Sequence, residues 1–212
     1  MSDKQSITVI AIDGPAASGK GTLARNLSAH LGLRHLDSGG LYRAVALSLL
    51  KTKTNLDDEN AAAQAAENLD EETLTSPDLR LEHVGRAASL VAKYPGVRKA
   101  LLDFQRRFAK TPPGAVIDGR DIGTIVCPDA DFKIFLTASP EVRAERRALE
   151  LEGRGEVVDR AKLIAEIIER DRQDQTREIA PLIPAQDAVL LDASNLDIEA
   201  ALAAALDIIK SK

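Results

Sequence analysis

The run from Ile7 to Ile12 is apolar and β-branched, and it stops at Asp13-Gly14. Gly14-Pro15-Ala16-Ala17-Ser18-Gly19-Lys20-Gly21-Thr22 follows at once, and leucines then recur at 23, 27 and 31 before Gly32. Leucines four apart that end at a glycine predict an amphipathic helix with a glycine cap. A buried strand, a glycine-rich turn and a helix in direct succession leave few folds open. The inward N–H groups of such a turn and the positive end of the helix form a cradle for phosphate oxygens. Lys20 stands where its ammonium reaches the terminal phosphates of a nucleotide. The strict motif has Ser or Thr directly after the lysine, whereas here Gly21 stands there and Thr22 follows, which leaves metal ligation by a hydroxyl open.

The same alternation returns along the chain. A short run to Leu36 precedes a helical stretch from Leu41 to Leu50, and further apolar runs lie at Ala115 to Ile117, Phe132 to Leu136 and Ala188 to Leu191. Five short buried strands interleaved with helices predict an α/β fold with a five-stranded parallel sheet flanked by helices. Within the stretch between the second and third strand signals lie about sixty residues of helical pattern, an insert that needs its own purpose. Glu152-Gly153-Arg154-Gly155-Glu156 interrupts a later helical stretch and has the composition of a mobile flap.

Composition narrows the partners. Net charge is −5 and aromatic residues make up 3%, so the basic surface and stacking rings of a nucleic-acid binder are missing. No apolar run approaches the roughly 20 residues that cross a bilayer. A single cysteine, Cys127, forms no internal disulfide, and His30, His35 and His83 have no zinc-site spacing, which fits a reducing cytoplasm. The 28 basic residues divide into 17 Arg and 11 Lys. Arginine's planar fork suits bidentate phosphate recognition, although grouped arginines on a helix also make an ordinary solvated face. A switch GTPase needs Asn-Lys-x-Asp, and no Asn here precedes Lys.

Ile12-Asp13-Gly14-Pro15 through Gly19-Lys20-Gly21-Thr22, Leu36-Asp37-Ser38-Gly39 with Tyr42-Arg43, Ala88-Ser89 with Pro95 and Val97-Arg98, Asp118-Gly119-Arg120-Asp121-Ile122-Gly123-Thr124, and Arg170-Asp171 with Asp174 and Arg177-Glu178 together resemble the bacterial cytidylate kinase family over almost the whole chain. The resemblance implies a P-loop kinase fold over 1–212, with a monophosphate-binding insert at 60–111 and a lid at about 150–160. It implies phosphoryl transfer from ATP to CMP or dCMP with Mg2+, by a cytoplasmic monomer that engages neither nucleic acid nor membrane. By matching positions, Gly14 to Thr22 (Gly14, Pro15, Ala16, Ala17, Ser18, Gly19, Lys20, Gly21, Thr22) bind ATP. Ser38, Arg43 and Arg120 contact the acceptor phosphate with Arg177 alongside. Ser89, Arg98 and Asp121 read the base, and Asp174 and Arg170 serve the sugar or phosphate. Lys20, Arg120, Arg143 and Arg147 are the expected catalytic residues, with Arg146 and Arg154 as further candidates to follow the migrating phosphoryl group. Asp118 is expected to hold magnesium through water.

Residue chemistry bears on several of these independently. Asp37-Ser38-Gly39 and Asp118 follow strands, so they project from the carboxyl rim where open α/β sheets bind ligands. Ser38 would serve equally as a helix N-cap, and Asp118 as a buried turn residue. Arg98 in the first turn of a helix opposes the macrodipole, a local conflict that hints at function but costs only about 0.3–1 kcal/mol. Arg170, Asp174 and Arg177, at i, i+4 and i+7, share one helical face, which by spacing alone is also a surface ion-pair ladder. The resemblance also implies a small β-rich segment in the insert, whereas Asn68 to Arg80 here is short, acidic and poor in strand signals. Kinases of UMP, AMP or dephospho-coenzyme A, and a nucleotide-sensing module that closes without chemistry, are the competing readings.

Overall fold

The computed structural model describes residues 7–69 and 71–211. Its elements run β1 (Thr8–Asp13), α1 (Lys20–Leu31), β2 (Arg34–Asp37), α2 (Ser38–Lys51), α3 (Glu59–Glu67), two 3-10 turns (Glu71–Thr75 and Pro77–Arg80), α4 (Glu82–Val91), α5 (Pro95–Ala109), β3 (Gly114–Gly119), a π-helical turn (Ile122–Val126), β4 (Phe132–Thr137), α6 (Pro140–Glu152), α7 (Arg160–Gln175), β5 (Val189–Asp192) and α8 (Ile198–Lys210). They form two compact units, one of Met1–His35 with Pro112–Lys212, the other of Leu36–Thr111.

In the first unit the sheet has strand order β2-β3-β1-β4-β5, with β1 parallel to β3 and β4, and β4 parallel to β5. The central strand β1 is flanked on both sides, so Ile10 and Ile12 are fully buried. Around them pack Leu23 and Leu27 of α1, Val116, Ile134, Leu136 and Ala205 of α8. Burying such side chains stabilises the unit by about 1.5–3 kcal/mol each. The leucine repeat that predicted α1 is thus the stripe that faces the sheet. β5 departs from expectation. The apolar run Ala188 to Leu191 predicts a buried strand, yet Val189 is 44% and Leu190 65% exposed, because β5 is the sheet edge and pairs with β4 alone.

The second unit is helical. Ala44 and Leu47 of α2 pack with Leu79 and Val84, and Leu50, Leu69 and Leu74 close around them. α3 and α5 cross closely, since a Cβ on Gly96 would stand 2.9 Å from the Ala63 Cβ. Asn68 to Arg80 forms 3-10 turns with no strand among its described residues. The acidic, strand-poor composition of that stretch fits this outcome.

Candidate active site

The phosphate loop leaves β1 at Gly14, where a Cβ would fall 2.0 Å from the Leu136 carbonyl oxygen, so only glycine lets the chain pass β4 at this point. Ala17 holds a left-handed φ of 58°, a conformation that costs a non-glycine residue about 1–3 kcal/mol and is typical of ligand-binding turns. Lys20 opens α1, and its Nζ donates to the Pro15 carbonyl at 3.0 Å, which holds the ammonium across its own loop. Thr22 Oγ1 accepts from Arg25 Nη2 at 3.2 Å. Ser18 Oγ is buried within the loop without a hydrogen-bond partner.

Two arginines of α6 hold this loop from behind. Arg143 is 2% exposed. Its Nε donates to the Ala138 carbonyl at 2.8 Å, Nη1 donates to the Ala16 carbonyl at 3.2 Å, and both terminal nitrogens grip the Asp171 carboxylate at 2.9 and 2.5 Å. Arg146 Nη1 donates to the Ser18 carbonyl at 3.0 Å while Nη2 donates to Ala193 and Leu196. Sequence grouped these residues with Arg147, but their settings differ: Arg147 and Arg154 both pair with Glu150 on the surface. The stretch 153–159 joins α6 to α7, and Arg160 beyond it ties Glu145 to Glu152, so its guanidinium is held above its ordinary range by those carboxylates.

Two buried carboxylates lie beside the loop. Asp118, near the end of β3, receives a 2.8 Å hydrogen bond with His35 Nε2, and its Oδ2 would be 3.6 Å from a Cβ on Gly21. Asp13, the last residue of β1, accepts from Ile122 N and Gly123 N at 2.8 Å each. Burial pushes the Asp13 carboxyl up to about 6, opposed by those two N–H donors, raised further by Asp121 and lowered by Lys20.

The loop after β3 and the end of α7 gather an ionic cluster. Arg120 Nε donates to Asp174 Oδ2, and Arg177 Nη2 lies 3.3 Å from Asp174 Oδ1, so one carboxylate sits between two guanidinium groups. α7 ends at Gln175, so Arg177 is not on the helical face expected for it. It reaches Asp174 by folding back just past the helix end. Arg170 is exposed on α7, while Asp121 is 8% exposed and precedes the π-helical turn.

In the second unit, Asp37 caps α2 by accepting from Gly40 N at 3.0 Å, which leaves Ser38 as the first helical residue rather than the cap. Asp37 also accepts from Arg43 at 2.5 Å. Arg98 does open α5 after Pro95, and its misfit with the macrodipole is eased by donation to the Ala92 carbonyl at 3.4 Å and by a guanidinium position 5.9 Å over the Tyr42 ring. Ser89 is exposed and donates to Gly85 within α4. Sequence reasoning assigned no role to Asp13, His35, Asp37 or Asp171. Asp13, Asp37 and Asp171 sit in motifs quoted above and His35 borders one, but only their partners, 3 to 110 residues away, reveal what they do.

A parallel sheet whose central strand ends in a phosphate loop, with two arginines of a later helix hydrogen-bonded to that loop, defines a P-loop kinase. Solved structures agree at the level of fold: a shikimate kinase from Bacteroides thetaiotaomicron matches with TM-score 0.54 at 14% identity, covering 97% of this chain and 99% of that one. The chain belongs to the cytidylate kinase family, whose model matches residues 10–211. Cytidylate kinases of Rhodopseudomonas palustris (strain BisA53) and Bradyrhizobium sp. (strain ORS 278) are each 57% identical to it over 203 residues, 96% of either chain.

Proposed function

We propose that the protein transfers the γ-phosphoryl group of ATP to CMP and dCMP, giving ADP with CDP or dCDP, a step of pyrimidine nucleotide metabolism. Membership of the cytidylate kinase family makes it an ATP-dependent nucleoside-monophosphate kinase. The observation that carries the acceptor side is the Arg120–Asp174–Arg177 cluster, a preassembled pair of guanidinium groups held on one carboxylate.

The attacking oxygen of a nucleoside monophosphate is already ionised near neutral pH, so no general base is needed. Catalysis rests on bringing two anions into line and stabilising charge on the transferred group. Gly14 to Thr22 cradle the donor phosphates and Lys20 supplies charge to them. Arg120 and Arg177 hold the acceptor phosphate, with Ser38 and Arg43, while Arg170 and Asp174 serve the sugar or phosphate. Arg147, just before the lid at about 150–160, and Arg154 within it follow the migrating group as the lid and the insert at 60–111 exclude water. Asp121 accepts from the exocyclic amine of cytosine, where uracil offers only a carbonyl, and Ser89 and Arg98 address the rest of the base.

The oxygen donors present fit a hard cation: Mg2+ is bound through one or two carboxylates together with phosphates, and Asp118, the unpartnered Ser18 hydroxyl and Thr22 lie at the loop. When bound, magnesium would neutralise charge on the donor phosphates. Asp118 would hold it through water, with His35 orienting the carboxylate. Among the described residues no helix is long and apolar enough to cross a membrane. The reading extends to a cytoplasmic monomer that binds no nucleic acid.

The test is an acceptor panel of CMP, dCMP, UMP and AMP with ATP, followed by coupled ADP release. CMP and dCMP should lead in kcat/KM, and absence of CMP-dependent ADP release would overturn the reading. In the same assay Asp121→Ala should lower kcat/KM for CMP by at least about tenfold and spare UMP, because the unsatisfied amine costs only the good substrate.

A further inference from the structure

Asp13 takes no part in the chemistry described above, yet it is a carboxylate only 4% exposed at the end of the central strand. Burying a carboxylate is unfavourable unless its oxygens are used. Here each oxygen accepts one backbone N–H at 2.8 Å, from Ile122 and Gly123, the two residues that follow Asp121. The Ile122 N–H belongs to the same peptide plane as the Asp121 carbonyl, and that carbonyl accepts from Ile125 N at 2.9 Å and Val126 N at 3.1 Å. The plane is therefore held at both edges, which fixes the Asp121 Cα and its Cα–C bond, the pivot from which the Asp121 side chain leaves the backbone. The opposite side of the turn is closed by Lys133, whose Cδ would lie 3.2 Å from a Cβ on Gly123. The Lys133 ammonium is spent on the Pro128 carbonyl and Asp187, so it does not neutralise Asp13. What the Asp13 carboxylate holds is the turn itself.

We propose that Asp13 is a positioning residue for acceptor choice: by fixing the peptide after Asp121 it sets the orientation of the carboxylate that discriminates cytosine from uracil. The inference rests on the reading of Asp121 given above. It also explains why this position carries a charge that an apolar residue would spare. Asparagine at position 13 offers one acceptor and turns an amide N–H2 toward the second backbone N–H, so one of the two donors loses its partner.

The experiment measures kcat and KM for CMP and UMP at saturating ATP, and KM for ATP, in the wild type, Asp13→Asn, Asp121→Ala and the double variant. Asp13→Asn should lower the CMP to UMP ratio of kcat/KM by about tenfold, mainly through KM for CMP, with KM for ATP changed less than about threefold. The double variant should show no further loss of selectivity beyond Asp121→Ala. Equal losses for CMP and UMP in Asp13→Asn, alongside lost selectivity in Asp121→Ala, would overturn the role of Asp13 and leave the base reader standing. Unchanged selectivity in Asp121→Ala would overturn the base reader itself. Gly123→Ala gives a second route should Asp13→Asn not fold. Its methyl group would press on Asp13 Oδ2 from 3.3 Å and displace the same turn with the carboxylate kept. Selectivity should fall there too, and an unaltered CMP to UMP ratio in a folded Gly123→Ala would refute the proposal.

Discussion

Replacing Asp171 by Asn removes the anion that holds Arg143 while barely altering shape. The Arg143 side chain is 3% and Asp171 17% exposed, and the two are joined by paired hydrogen bonds at 2.9 and 2.5 Å. Breaking a buried pair from one side costs about 3–5 kcal/mol, because the remaining charge stays buried. Arg143 keeps the Ala138 and Ala16 carbonyls, and Asp171 is partly solvated, so the lower end, about 3 kcal/mol, applies. For a chain of this size each kcal/mol shifts Tm by about 2–4 °C, so a loss of about 6–12 °C is expected in thermal denaturation. The double variant Arg143→Met/Asp171→Leu should regain most of that stability, since apolar replacement of both partners is often neutral. It should still bind ATP weakly, because Ala16 is no longer pinned. A fall in Tm below about 2 °C for Asp171→Asn would refute the reasoning.

Lys20→Met should leave a folded protein whose phosphoryl transfer drops by orders of magnitude, since a preorganised charge on the phosphates contributes several kcal/mol; near-normal turnover in a coupled assay would contradict the loop's role. Arg177→Ala should raise KM for CMP far more than KM for ATP, and the reverse pattern in steady-state kinetics would place Arg177 on the donor side. Asp13 gives a pH signature: its carboxyl is raised from 3.8 to about 6, so the folded state holds the proton more tightly and this group's contribution to stability is present below pH 4 and lost as pH rises through about 6. Measured by urea denaturation, wild type should therefore gain on Asp13→Asn by up to about 3 kcal/mol between pH 7 and pH 4, and a flat difference would contradict the shift.

How much of this was legible beforehand follows the range of each interaction. β1, its loop and α1 are consecutive, so apolar runs and leucine spacing located them to within a residue or two. The edge exposure of β5 was not legible, because Val189 and Leu190 look like core residues until the strand order is known. The end of α7 before Arg177 is not legible, since Arg-Glu-Ile carries no glycine or proline stop signal before Ala180-Pro181. The functions of Arg143 and Arg146 were the hardest to separate from those of Arg147. Neighbouring arginines on one helix differ only in which face meets the carbonyls of residues more than 120 positions earlier.

The first unit is interrupted in sequence by the second. On the ribosome, β1 and the phosphate loop emerge early, yet the strands on either side of β1 and the helix whose arginines hold Ala16 and Ser18 are made only after residue 113. The uninterrupted span Leu36–Thr111 can complete its own core while its host is still half-synthesised. Between the two units, order of folding then runs against order of translation: β1 is made before Leu36–Thr111 yet gains its neighbouring strands after it. A nascent chain arrested before α6 has the whole nucleotide-binding motif in its sequence and none of the clamp that shapes it.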